Sequence, residues 1–322
     1  GIHLPKRTYG LLEYTPIRFS PSWKSHVNNE LFDYQMSRRI SSADAKTPEA
    51  LMGFVGKSLR TFRCGADLGA DTLELVAANS HVENIESLHA RAAADSGIRD
   101  TWLNGFQRRK TLQEYAMADR IYVHSDYVRQ SFLDAGVPAE KLMRTVLQVA
   151  PRFQAPDERP ADDTFRIVYV GRVEMTKGIG VLMEAFRLLP IEDARLTIVG
   201  GWSTGSVRRY IEQYLAVDDR ITIAPGDPLP ALHRADVFVH PSYEDGFGYA
   251  PMEALACGVP VVVTTDTGMK EYVRDGTTGY IVPTGSVDAV VVALETLYTE
   301  PLAETTSLLG PRSQESPVRS QD

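Results

Sequence analysis

A two-domain α/β architecture built on doubly wound parallel sheets is what this sequence predicts, and three observations predict it. From residue 165 onward, short apolar runs alternate with stretches of helical spacing. Most of those runs end at glycine, proline or a polar turn, as strands of a parallel sheet do before crossing back through a helix. The third observation is length. At 322 residues the chain fills two cores of about 150 residues each, the usual size of one domain.

Taken in order, residues 1–30 show no clear period and no opening strand–helix–strand unit. Residues 71–78 read as a strand leading to Asn79, Ser80 and His81. Residues 111–118 have helical composition, and 120–124 form a second strand, after which Ser125 is suited to cap a helix from Asp126. Pro151, Pro156 and Pro160 mark a linker. Beyond it, strands are expected at 165–170, 195–199, 220–224, 236–240 and 259–263. Helices are expected from residue 179, over 206–214, briefly over 229–235, after Gly248, and over 286–298; residues 276–283 read as a turn. The expected division is 1–150, a linker at 151–163, a second domain at 164–299, and a disordered Ser/Thr/Arg/Glu-rich tail at 300–322.

The most informative stretch is Asp245-Gly-Phe-Gly-Tyr-Ala-Pro-Met-Glu253, between the 236–240 strand and an alanine-rich helix. Gly246 and Gly248 admit close approach of backbone N–H groups to a ligand, and a helix N-terminus favours phosphate. Carboxylates there suit sugar or ribose hydroxyls better than phosphate, so the pattern reads as a nucleotide-sugar site. A second stretch, Gly171-Arg-Val-Glu-Met-Thr-Lys-Gly178, places Arg172 and Lys177 at the carboxyl end of a strand, where ligands of open α/β sheets bind. A planar guanidinium and an ammonium together suit a diphosphate.

These two segments resemble the acid-x7-acid signature and the Gly-Arg…Lys-Gly loop of retaining glycosyltransferases of the GT-B fold, most closely glycosyltransferase family 4. The likeness extends over about residues 70–298, and is strong from 165. It implies two Rossmann-like domains facing a cleft, the N-terminal one lacking its first strand and Gly-rich loop. It also implies that Asp245, at a position generally held by Glu, lies near the donor sugar, that Glu253 holds the ribose, and that Arg172 and Lys177 neutralise the leaving diphosphate. By the same resemblance Gly246, Phe247 and Gly248 belong to the donor loop, and Pro225 and Gly226 present backbone to the base. Glu271 lies near sugar or phosphates, and His81 faces the transferred sugar. Glu244, one residue before Asp245, gives an eight-residue gap to Glu253 and stands outside the signature.

The net charge of −8 divides into +2 over residues 1–150 and −10 beyond, which argues against nucleic-acid binding. The Arg108-Arg109-Lys110 cluster reads as a solvated helix face, the alternative being a site for anionic lipid headgroups or an anionic acceptor; a peripheral membrane contact is possible but not indicated. No apolar run approaches the roughly 18 residues of a membrane span. Cys64 and Cys257, far apart, fit a reducing cytoplasm. No Asp-x-Asp pair occurs, so neither a metal nor another cofactor is expected. The expected function is metal-independent, retaining sugar transfer from a nucleoside diphosphate sugar to an acceptor the sequence does not identify. The alternatives are a non-catalytic nucleotide-sugar binder, and a GT-B relative with epimerase or phosphorylase chemistry, for which no acid/base pair or pyridoxal lysine site is visible.

Overall fold

The computed structural model of the chain describes residues 21–42 and 48–302, in two parallel sheets. The first is built from β1 (Ala50–Phe54), β2 (Thr72–Ala77), β3 (Arg120–Val123) and β4 (Leu142–Arg144), neighbours in chain order. The second contains β5 (Phe165–Val170), β6 (Ala194–Val199), β7 (Ile221–Ala224), β8 (Val237–His240), β9 (Val261–Thr264) and β10 (Gly279–Val282). Its order is β10-β9-β8-β5-β6-β7, so the winding reverses between β5 and β8. Such a switch point opens a crevice at the carboxyl ends of the two strands.

Alternation along the strands explains how the second sheet is buried on both faces. Ile167 and Tyr169 of β5 pack into one core with Ile198, Leu182 and Phe186, whereas Val168 points the other way, with Phe238, Val261 and Leu255. Helices cover both faces: α6 (Ile179–Leu188), α7 (Gly205–Leu215), the short α8 (Leu229–Leu232), α9 (Tyr249–Ala256) and α10 (Val287–Thr299). In the first half, Phe62, Leu75, Ile121 and Phe132 are fully buried between the sheet and its helices. Those helices are α1 (Pro21–Ile40), α2 (Leu59–Asp67), α3 (Val82–Ser96), α4 (Gly105–Met117) and α5 (Asp126–Asp134).

Several elements differ from the expectation. The 276–283 turn contains β10, paired with β9 from Gly279↔Val261 to Val282↔Thr264. Its backbone pairs where a glycine-rich pattern suggested only a loop. Residues 21–40 form a helix although no period marks it, because α1 is held by polar contacts; Asp33 accepts from Arg60 N, Thr61 N and Thr61 Oγ1. β1 and β4 were also unmarked; β1 is an edge strand whose residues alternate between exposed and half-buried. The expected missing opening strand falls partly on residues 1–20, and the expected tail mostly on 303–322; both lie outside the described residues. Among the described residues, no helix is long and apolar enough to cross a membrane.

Candidate functional site

The switch point gathers the site. The loop after β5 carries Arg172 and Lys177; the loop after β8 carries Glu244 and Asp245. Lys177 Nζ donates to Asp245 Oδ2 at 3.0 Å and to the Glu244 carbonyl at 3.0 Å. His240, the last residue of β8, places Nε2 3.1 Å from the same Asp245 oxygen. Facing a carboxylate, Nε2 carries the proton, which leaves the buried Nδ1 without a partner among the described residues. Burial works to raise the Asp245 carboxyl, but the Lys177 charge and the His240 hydrogen bond outweigh it and hold the group far below the ordinary carboxylate range. Lys177 is likewise desolvated, yet Asp245 and Glu244 keep its ammonium above its ordinary value.

Two helices start at this crevice, and both start on glycine. α6 follows Gly178 (φ 73°) and α9 follows Gly248 (φ 88°), with no side-chain cap on either. A Cβ on Gly178 would lie 1.9 Å from the Pro241 carbonyl oxygen, so the two switch-point loops touch backbone to backbone. The start of α6 directly follows Lys177 and that of α9 lies three residues after its partner Asp245, so two helix N-termini without side-chain caps flank this ion pair, an environment suited to phosphate oxygens.

Glu253 lies in α9, half-buried. Burial raises its carboxyl above the ordinary range, with Arg152 and Asp227 pulling in opposite directions. Asp227 follows the exposed Pro225 and Gly226 after β7 and pairs with Arg152 at 2.9 Å. These residues form a second, more open group.

The other anticipated residues occupy different surroundings. Phe247 is 3% exposed and packs its ring against Tyr249 and Tyr272, so it anchors the loop in the core. The absent side chain of Gly246 makes room for protein: a Cβ there would sit 1.9 Å from the Ala78 carbonyl oxygen of the first half. Glu271 accepts from Tyr127 N at 2.8 Å and Arg144 at 3.2 Å, tying the second half to the start of α5. His81 is 4% exposed, lies against the rings of Tyr115 and Phe132, and caps α3 through a 3.4 Å bond from Glu83 N to Nδ1. Burial lowers its imidazole below the usual histidine range, the charges of Glu83 and Arg108 acting oppositely.

A cleft of about 940 Å3 separates the halves, lined among others by Lys57, Asn79, Trp102, Arg172 and Trp202. Of the anticipated residues only Arg172 lines it. Arg172 is 61% exposed, with Glu174 3.5 Å away. The basic cluster at 108–110 is largely spent internally. Arg108 pairs with Glu83 and Glu86, and Lys110 is buried against Glu30 and Asp33.

Two parallel-sheet halves facing a cleft, with the polar cluster at the switch point of the second, define the GT-B class of α/β fold. The chain belongs to the family of glycosyl transferases group 1, whose model matches residues 152–314, about half of the chain. It is 32% identical over 166 residues to the capsular polysaccharide biosynthesis glycosyltransferase CapM of Staphylococcus aureus, covering 50% of this chain and 44% of that one. It is 36% identical over 149 residues to the D-inositol 3-phosphate glycosyltransferase of Pseudarthrobacter chlorophenolicus, covering 43% and 35%. The matches thus span less than half the length of these curated relatives. Among solved structures, its fold is similar to that of sucrose-phosphate synthase from Thermosynechococcus elongatus. The TM-score is 0.65 at 20% identity, over 93% of this chain and 72% of that one. It is also similar to HepE of Anabaena in complex with UDP, with a TM-score of 0.64 at 16% identity over 85% and 75%.

Proposed function

We propose that this chain binds a nucleoside diphosphate sugar at the β5–β8 switch point and transfers the sugar, with retention and without a divalent metal, to an acceptor hydroxyl in the cleft. The observation that carries this reading is the pair of helix N-termini without side-chain caps that flank the Lys177–Asp245 ion pair. HepE, a structural neighbour, is solved in complex with UDP-glucose, which supports the same class of donor here.

In this reading the diphosphate draws Lys177, because it offers more negative charge than the single carboxylate of Asp245. Arg172 adds a planar donor, and the amides opening α6 and α9 add fixed dipoles. Together they stabilise charge as it develops on the leaving group. Asp245, kept ionised by its partners, accepts from donor-sugar hydroxyls, Glu253 takes the ribose, and the backbone of Pro225 and Gly226 meets the base. The acceptor attacks from the leaving-group face, which preserves the anomeric configuration. His81 contributes through the turn it terminates, since its imidazole is packed in the core.

Calorimetry with UDP and GDP, with and without EDTA, combined with sugar release from UDP-glucose and GDP-mannose, tests the reading. Binding that survives EDTA together with sugar release is the expected result. Loss of binding in EDTA overturns the metal-free cation site, and binding without any sugar release points to a non-catalytic binder. Asp245→Ala should stop sugar release yet leave plain nucleotide affinity nearly intact, whereas Glu253→Ala should weaken the nucleotide itself.

A further inference from the structure

We propose that Glu244 is a positioning residue for sugar transfer: its side chain clasps the donor loop at residues 245–248 to the Asn79–Ser80 turn of the first half, so that the loop is in register only when the halves meet. The inference rests on the donor reading above.

Glu244 is 2% exposed. One carboxylate oxygen accepts from Ser80 N at 2.9 Å, the other from Asn79 Nδ2 at 2.9 Å. Its main-chain carbonyl faces the opposite way and accepts from Lys177 Nζ at 3.0 Å. One residue therefore joins the first half of the molecule to the cation of the diphosphate site. The next residues leave no slack. Gly246 O accepts from Ser125 Oγ at 2.5 Å, and Gly246 Cα stands so close to Ala78 that a side chain would overlap its carbonyl. A Cβ on Gly268 would likewise lie 2.2 Å from Gly246 O, so the loop is gripped from both halves.

The donors that meet this buried carboxylate come from the other half. Parting the halves exchanges Asn79 and Ser80 for water, and closing replaces that water with the two fixed donors. The clasp thereby couples apposition of the halves to the placement of Asp245 against the donor sugar. A misplacement of about 1 Å at such a point costs on the order of 100-fold in rate.

The experiment uses the full chain with Glu244→Ala, Glu244→Gln and, from the other side of the contact, Asn79→Ala. Glu244→Ala is expected to lower sugar release from the nucleotide sugar by on the order of 100-fold, while UDP affinity by calorimetry is unchanged. Glu244→Gln keeps an acceptor for Ser80 N and should recover most of the rate. Asn79→Ala should slow release in the wild-type background and add nothing to Glu244→Ala, because both remove one contact. Sugar release unchanged in Glu244→Ala and Asn79→Ala overturns the proposal. So does a fall in UDP affinity that tracks the loss of rate, which marks a general loss of structure. If the wild-type chain binds no UDP or GDP, the donor reading fails and the clasp falls with it; if it binds and releases sugar, only the clasp is at stake.

Discussion

Helix N-termini in the two halves of the molecule are filled in different ways. In the first half the protein fills those of α2 to α5 itself. Glu114 accepts from Gly56 N, Ser58 N and Leu59 N at the start of α2, and Asp33 takes Arg60 N and Thr61 N just beyond. His81 caps α3, Asn104 and Gln107 form a capping box on α4, and Ser125 caps α5. In the second half Thr204 and Ser286 cap α7 and α10. The two helices at the switch point, α6 and α9, start on glycine with no side chain in place. A half whose helix starts already hold its own side chains serves as scaffold and cleft wall. A half that leaves two such starts without a side-chain cap, on either side of the Lys177–Asp245 pair, is the one to which the proposed diphosphate belongs. Capping is thus a guide to where a ligand belongs, because an orphan N–H that the protein does not satisfy is available to something else.

The comparison breaks most visibly at Glu114. Removing its carboxylate in Glu114→Ala strands three buried N–H groups, so unfolding free energy from urea titration should fall by roughly 3 kcal/mol or more, with UDP affinity retained. Burial, against the pull of the Ser58 and Gly56 amides, pushes this carboxyl from the ordinary 4.5 up to about 7. Between those values the folded protein holds a proton that the unfolded chain has lost. This contribution to stability is therefore full below about pH 4.5 and lost as pH rises through about 7. Glu114→Gln should flatten that part of the stability profile.

On the open side, Lys177→Ala should weaken UDP or GDP by about 1.5–3 kcal/mol, the worth of a charge-assisted contact. Lys57→Ala, which removes a cation lining the cleft from the closed half, should leave that affinity unchanged by calorimetry. Equal losses at the two lysines would dissolve the distinction between the halves. The smallest effect belongs to an ordinary cap: Thr204→Ala frees Val207 N and should cost about 1 kcal/mol of stability, with no change in nucleotide binding.

The second sheet is largely legible because its central strands β8 and β9 are buried on both faces and read as apolar runs, as in Val261–Thr264. In the first half, β1 with its central Gly53 is an edge strand, and α1 is held by charged contacts with residues far along the chain. Neither leaves a local period, so neither was readable. The site divided in the same manner. Arg172, Lys177 and Asp245 stand in a short-range pattern whose chemistry is local. Glu244 was set aside as an acid one place too early, because its meaning lies in Asn79 and Ser80, 165 and 164 residues away. His240 ends an anticipated strand, and a polar residue at the carboxyl end of a buried strand was the signal available for it.

By itself the sequence determined the alternating α/β class, most strands of the second sheet, and the presence of an acidic motif and a basic loop, each of which depends on residues within about one supersecondary unit. Only the tertiary structure decided which polar groups remain for a ligand. It gave Lys177 to Asp245, Glu271 to the start of α5, His81 to the core of the first half, and the space at Gly246 to the Ala78 carbonyl. The physical reason is that a hydrogen-bonding group is committed by whatever comes within about 3 Å of it. Across two apposed halves, that neighbour is set by how the sheets pack, a relation that no local stretch of sequence contains.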